Sequence, residues 1–171
     1  MVDIDPHKDE RGFFARTWCS REFEKNGLPT NFVQASISNS SKSGTVRGMH
    51  YQGPPSREGK LLRCIRGRIF DVIIDIRPKS KTFLQHESIE LSAESHRTLY
   101  VPAGFAHGFQ TLEDTTEVFY QMTDFHEPEL AGGFRWNDPA LSIDWPRPVT
   151  VISKRDRNYP DLQTAQFSGF E

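Results

Sequence analysis

An all-β fold, a barrel or sandwich of short strands with a few short helices, is what this sequence predicts. Two patterns predict it. Runs rich in β-branched and aromatic residues alternate apolar and polar positions with a period of two, and turn residues interrupt them at roughly 8–12-residue intervals. A third observation bears on organisation: the 12 glycines and 11 prolines are spread along the chain rather than pooled in a linker, with no internal repeat. At 171 residues the natural reading is one domain over 1–171, long enough to bury its own core.

In chain order, the first element is a short helix over 21–26, with Ser20 as N-cap and Gly27 as its stop. Strand-like runs follow at 31–38 and 44–52. The runs 61–66 and 69–76 flank Gly67-Arg68, which reads as a hairpin turn. In the second of these, Phe70, Val72, Ile74 and Ile76 share one face, and Asp71 and Asp75 lie on the other. Further runs are 82–91, 97–101, 105–112 and 116–123. In the last, Val118, Tyr120 and Met122 share a face that their apolar members direct inward. The segment 124–171 has five prolines and little periodicity, and is expected to be mostly loops and short turns packed on the barrel.

A net charge of −2 argues against a broad nucleic-acid-binding face, whereas a small anionic ligand needs only a few placed Arg or Lys. Cys19 and Cys64 have neither a disulfide-framework nor a zinc-type spacing, and read as two reduced thiols. No apolar run approaches the roughly 20 residues of a membrane helix. The start, Met1-Val2-Asp3-Ile4-Asp5, lacks the basic and apolar regions of a signal peptide, so a cytoplasmic protein is the expectation.

Histidines lead the residues able to carry chemistry. His107 closes Pro102-Ala103-Gly104-Phe105-Ala106-His107, which has the P-x-G-x-x-H form of the second cupin motif. Metal-binding cupins supply H-x-H and then a Glu from their first motif. Here that stretch reads His50-Tyr51-Gln52, and Gln is a poor substitute for imidazole on a transition metal. The pattern is a cupin-like barrel that has lost its metal. Either histidine could be a hydrogen-bonded core residue, but Arg47, Gln52 and Lys60, close in sequence, favour a site at His50. Tyr120 is either a core phenol with a satisfied hydroxyl or a proton donor. Lys60 has the parity of Leu62 and Cys64, and an inward ammonium needs an anionic partner; the alternative is a surface lysine. Asp156 is of the type that fixes a histidine tautomer, although spacing ties it to no particular one. Arg11 and Arg47 could hold phosphates by bidentate contact, or form surface ion pairs. Arg47 and His50 are an odd number apart, so a regular strand would face them oppositely; a bulge at Gly48 reconciles them.

The chain resembles the dTDP-4-dehydrorhamnose 3,5-epimerase family over nearly its whole length. The matching segments are DERGFF (9–14), FVQ (32–34), VRGMHYQ (46–52), GKLLRCIRG (59–67), DVIIDIRPKSKTF (71–83), LSAESHRTLYVPAGFAHGF (91–109), WNDPALSIDWP (136–146) and ISKRD (152–156). The resemblance implies a cupin-like β jelly-roll homodimer, without metal or cofactor, acting on a nucleotide-diphosphate-linked 4-keto-6-deoxyhexose. It implies that His50 is the general base with Asp156 as its partner, that Tyr120 is the acid on the opposite face of the sugar, and that Lys60 stabilises the enolate oxygen at C4. Arg11 from the partner subunit, Gln34, Arg47 and Arg155 would hold the nucleotide diphosphate, and His107 would support the site. Arg16, Ser36 and the pair Phe125-His126 stand where the family usually has Glu, Asn and Tyr-Tyr, and the N-terminus is shorter than usual. Phe125 or His126 could still stack on a base.

Three classes of function follow. The leading one is the epimerase, inverting C3 and C5 or one of them, on a dTDP- or CDP-linked sugar. The others are a metal-dependent cupin oxygenase or isomerase, which Gln52 opposes, and a non-catalytic sugar-binding jelly roll, which the joint presence of His50, Lys60, Tyr120 and Asp156 opposes.

Overall fold

A computed structural model describes residues 1–162, 167, 169 and 170. In chain order its elements are β1 (His7–Asp9), β2 (Gly12–Phe14), helix α1 (Ser20–Lys25), β3 (Gln34–Ser40), β4 (Thr45–Gln52), β5 (Lys60–Arg66), β6 (Arg68–Asp75) and β7 (His86–Ser92). Then come β8 (Leu99–Val101), β9 (Phe105–Thr111), β10 (Thr116–Met122), a 3-10 turn at Pro128–Leu130, β11 (Ala131–Gly133), β12 (Val151–Ile152) and helix α2 (Lys154–Arg157).

One sheet runs β3-β10-β5-β8, and the other β11-β4-β9-β6-β7 with β12 added parallel to β4. The sheets face each other as a cupin-like jelly roll. Leu62, Cys64 and Val118 of the first meet Ile69, Leu91 and Phe109 of the second in one buried cluster. Burial also raises the Cys64 thiol to about 11, so it acts as a small core residue. The second sheet is covered on its outer face too: Met49, Val72, Ile74 and Ile76 pack against Phe134, Leu141, Leu162, Phe167 and Phe170. Each such aliphatic side chain contributes about 1.5–3 kcal/mol on burial, so the C-terminal segment brings a second core. The alternation around Val72 therefore faces this outer layer, while Ile69 and Ile73, with Asp71 between them by parity, turn to the space between the sheets.

The expected strands are present with small shifts in their ends. The largest differences are at 31–33, which precede β3, and 82–85, which form a turn before β7. Gly67-Arg68 is not a hairpin turn. β5 pairs with β10 and β8, and β6 with β7 and β9, so Gly67 carries the chain from one sheet to the other. It does so with φ +73, and a Cβ there would lie 2.5 Å from Thr116 Oγ1. Ser20 is the first helical residue rather than the N-cap; Cys19 occupies that position without a side-chain cap. Strands β1, β2, β11 and β12 were not foreseen, being too short to display a period. The 124–171 segment is otherwise mostly irregular, and residues 163–166, 168 and 171 of it lie outside the described residues.

The bulge expected at Gly48 is present. β4 pairs with β9 as Arg47↔Phe109 and then His50↔His107, three steps on one strand against two on the other. Gly48 has φ +129, and a Cβ on it would meet Gly108 Cα at 2.6 Å.

Asp75 anchors the end of β6. It accepts from the Arg77 amide (3.0 Å), Arg77 Nε (2.9 Å), Arg77 Nη2 (2.7 Å) and the Thr82 hydroxyl (2.7 Å). Burial pushes its carboxyl up, but the Arg77 guanidinium and the Ser80 and Thr82 hydroxyls outweigh that and hold it well below the usual carboxylate range. With a folded value below the unfolded one of about 3.9, its stabilisation is fully present above that pH and is lost as pH falls toward the folded value. Asp75→Asn is expected to destabilise the fold by about 2 kcal/mol at neutral pH, less than an enclosed pair because Arg77 is partly exposed. Denaturant titrations at pH 7 and pH 3 check this: the deficit should shrink at pH 3, and an equal deficit at both would contradict it.

Candidate active site

Between the sheets lies a cavity of about 550 Å³, bordered by β4 and β9 on one wall, β5 and β10 on the other, and β12 with α2 at its edge. The Gly48 bulge lets Arg47 and His50 both line it, which a regular strand would forbid. Tyr120 and Lys60 enter from the opposite sheet, where Tyr120 pairs with Leu62 and Met122 with Lys60. His50 and Tyr120 thus stand on facing walls.

His50 Nε2 lies 2.8 Å from Asp156 Oδ1; the histidine side chain is 40% exposed and the aspartate 6%. Residues 106 apart meet because β12 pairs parallel with Thr45 and Val46 of β4, delivering α2 beside the bulge. Ser153 caps α2 by accepting from the Asp156 amide at 3.0 Å. The Gly48 amide donates to Asp156 Oδ2 at 3.1 Å, so one backbone irregularity both re-aims His50 and binds its partner. Burial would raise the Asp156 carboxyl, but His50, the Gly48 amide and Ser153 together leave it below the usual range. Asp156 therefore stays a carboxylate that orients the imidazole.

Lys60 Nζ is 2.8 Å from Glu58 Oε1, with side-chain exposures of 17% and 6%. The anionic partner that an inward ammonium requires is thus two residues upstream. Tyr120 Oη lies 3.3 Å from Ser38 Oγ. Burial above all pushes its phenol up, with the Asp71 charge adding to this against the pull of Ser38 and Arg47. His107 Nε2 is 2.8 Å from Asp71 Oδ2, both side chains buried. Arg47 donates to Ser40 Oγ (3.1 Å) and to the Asn39 carbonyl (2.8 Å). The Arg155 guanidinium lies 5.5 Å from the centre of the Tyr159 ring, which in turn meets the His50 ring at 5.9 Å.

A family profile described as dTDP-4-dehydrorhamnose 3,5-epimerase matches residues 1–164. The chain belongs to the dTDP-4-dehydrorhamnose 3,5-epimerase family. It is an enzyme of the isomerase class. The Sinorhizobium fredii dTDP-4-dehydrorhamnose 3,5-epimerase is 44% identical over 162 residues, covering 93% of this chain and 83% of the relative. The solved Bacillus anthracis dTDP-4-dehydrorhamnose 3,5-epimerase, with TDP and PPi bound, superposes with a TM-score of 0.91 at 40% identity, covering 94% of this chain and 91% of that one. A Legionella pneumophila dTDP-6-deoxy-D-glucose-3,5-epimerase in complex with dTDP-4-keto-L-rhamnose gives 0.89 at 36% identity, covering 96% and 87%.

In this epimerase-family chain the cavity gathers seven of the residues singled out from sequence: His50, Tyr120, Asp156, Lys60, Arg47, His107 and Arg155. Four others do not line it. Gln34 pairs with Met122, in the row of Lys60, and accepts from the His126 amide at 2.6 Å, so Gln34 sits in the last row of the sheet with Lys60, and Phe125 and His126 follow just past it. Phe125 is exposed there. Arg11 lies in the β1-β2 hairpin, paired to Asp9 and 85% exposed. Gln52, the residue at the third position of the first motif, is spent on structure: it donates to the Phe125 carbonyl (3.0 Å) and Ser56 Oγ (3.3 Å) and accepts from the Glu127 amide (2.7 Å). Among the described residues, no helix is long and apolar enough to cross a membrane.

Sequence reading missed Ser38, Glu58 and Asp71. Asp71 carried a signal, an acidic residue sharing a face with Ile69 and Ile73 in a run that is apolar on both faces. Glu58 lies outside any strand, and Ser38 needs the β3-β10 register to be seen, where it pairs with Val118.

Proposed function

We propose that this chain inverts C3 and C5 of a dTDP-linked 4-keto-6-deoxyhexose through an enolate, with His50 as base and Tyr120 as acid. The observation that carries this is the placing of His50 and Tyr120 on facing walls of one cavity. A keto group at C4 acidifies the protons at C3 and C5 when the enolate oxygen meets preorganised charge, which Lys60 supplies. Inversion needs proton removal from one face and return to the other, so base and acid must flank the ring. An imidazole oriented by a carboxylate suits the first task near neutral pH. Arg47 and Arg155 are suited to the diphosphate, with Gln34, Phe125 and His126 placed for the nucleotide beyond. Arg11 would reach the site from a second copy, in a homodimer that would cover the exposed Phe13, Phe14 and Ile37. Two unpaired thiols accord with a cytoplasmic location.

Incubation with dTDP-4-keto-6-deoxyglucose and its CDP counterpart in heavy water, read by NMR, tests this. Deuterium is expected at both C3 and C5 of the dTDP sugar. Label at one carbon would make the protein a mono-epimerase, and label at neither would remove the epimerase reading.

A further inference from the structure

We infer that the buried His107–Asp71 pair returns a proton to Tyr120 between two inversions of one bound substrate. This rests on the function proposed above. Each inversion adds a proton to His50 and takes one from Tyr120. After the first, the base is an imidazolium and the acid a phenolate, both in the wrong state for the second. Two inversions without release of the sugar require both to be reset.

His50, 40% exposed, can shed its proton to water. Tyr120 is less accessible, and its hydrogen-bond partner is a serine hydroxyl, a weak acid. The His107 ring stands edge-on to the Tyr120 ring, with centroids 6.4 Å apart. His107 is 6% exposed at its side chain and Asp71 0%. Asp71 Oδ1 is buried with no hydrogen-bond partner, so the charge of this carboxylate is committed to His107. A carboxylate buried to that degree is costly unless a cation stands beside it. A residue serving only to fill the core would not demand one. With Nε2 held by Asp71, Nδ1 of His107 is without a hydrogen-bond partner among the described residues and free to exchange a proton.

The step balances. The His107 imidazolium gives up its Nδ1 proton, across one bridging water, to the Tyr120 phenolate. An N–H bond breaks, an O–H bond forms, Asp71 remains a carboxylate, and neutral His107 regains a proton from water. An ordinary imidazolium is a stronger acid than an ordinary phenol by on the order of 10³-fold, so transfer runs downhill. The other cations lining the cavity are poor donors. Arg47 and Arg155 do not release protons, and an ordinary lysine ammonium is a weaker acid than an ordinary imidazolium by on the order of 10⁴-fold, with Lys60 also ion-paired to Glu58.

The test is a single turnover of dTDP-4-keto-6-deoxyglucose with protein in excess, in heavy water. Borohydride reduction stops it, and singly and doubly inverted hexoses are separated. Wild type should give the doubly inverted sugar labelled at both carbons. Asp71→Asn and His107→Gln should each raise the ratio of singly to doubly inverted sugar by about tenfold or more, and added imidazole should lower it again. His107→Gln keeps the test open should Asp71→Asn fail to fold. An unchanged ratio, with both centres slowed alike, would leave the pair a structural prop and overturn the inference. A wild type that labels one carbon only overturns it as well, having no second inversion to prepare, whereas one that labels neither overturns the underlying function.

Discussion

His50→Ala is expected to abolish deuterium entry at both C3 and C5 and to lower kcat/KM by about 10²–10⁴-fold, the range of a positioned general base. Both effects follow from one imidazole serving two carbons. The two acidic positions flank the same ketone, so a small movement of the ring presents either one to the wall that holds His50. The second histidine lining that wall, His107, does not substitute as the base, because Asp71 holds its Nε2 and its ring packs edge-on to Tyr120. The substrate's grip on the cavity rests on other residues, Arg47 and Arg155 among them, so KM should change far less than kcat. The fold should survive, since His50 is partly exposed and Asp156 keeps the Gly48 amide and the Ser153 cap. Steady-state kinetics with NMR of the recovered sugar checks this. Exchange continuing at one carbon at a near-normal rate would mean that a separate base serves it, and the single-base reading would fall.

Most of the fold was legible because period-two alternation survives wherever a strand is longer than a few residues and one face is buried. It failed where strands are too short to show it, as in β12, and where both faces of a sheet are covered, as around Val72. There the alternation reports two cores and does not say which is the interior. The sheet crossing at Gly67 was read as a hairpin because a glycine between two strands looks the same locally, and only long-range register separates the cases. In the site, inward parity placed Tyr120 and Lys60, and the odd spacing of Arg47 and His50 required the bulge that the structure contains. Asp156 could not be tied to His50 from the chain because their contact depends on the parallel pairing of β12 with β4, a tertiary fact with no local mark. The partners Glu58 and Asp71 follow a simpler rule: a buried ionisable group implies a second one near it.

Tyr120→Phe is expected to separate proton removal from inversion. The ring keeps its place against the Leu62 and Val118 cluster, and deleting the hydroxyl costs only the contact with Ser38, so folding should be little affected. His50 can still form the enolate, with Lys60 opposite its developing charge. What disappears is the acid on the far face. The enolate then collects its proton from the near side, from His50 itself, and after exchange with solvent that proton is a deuteron. The sugar should therefore gain deuterium with its configuration retained, while inversion at C3 and C5 falls by about 10²–10³-fold. The ratio of exchange to inversion, from NMR of the label and the stereochemistry of the reduced sugar, is the quantity to measure. That ratio is insensitive to a general loss of active protein, which lowers both terms together. Inversion of both centres at the wild-type rate would show that the returning proton does not come from Tyr120, and the facing-wall arrangement would lose its catalytic meaning.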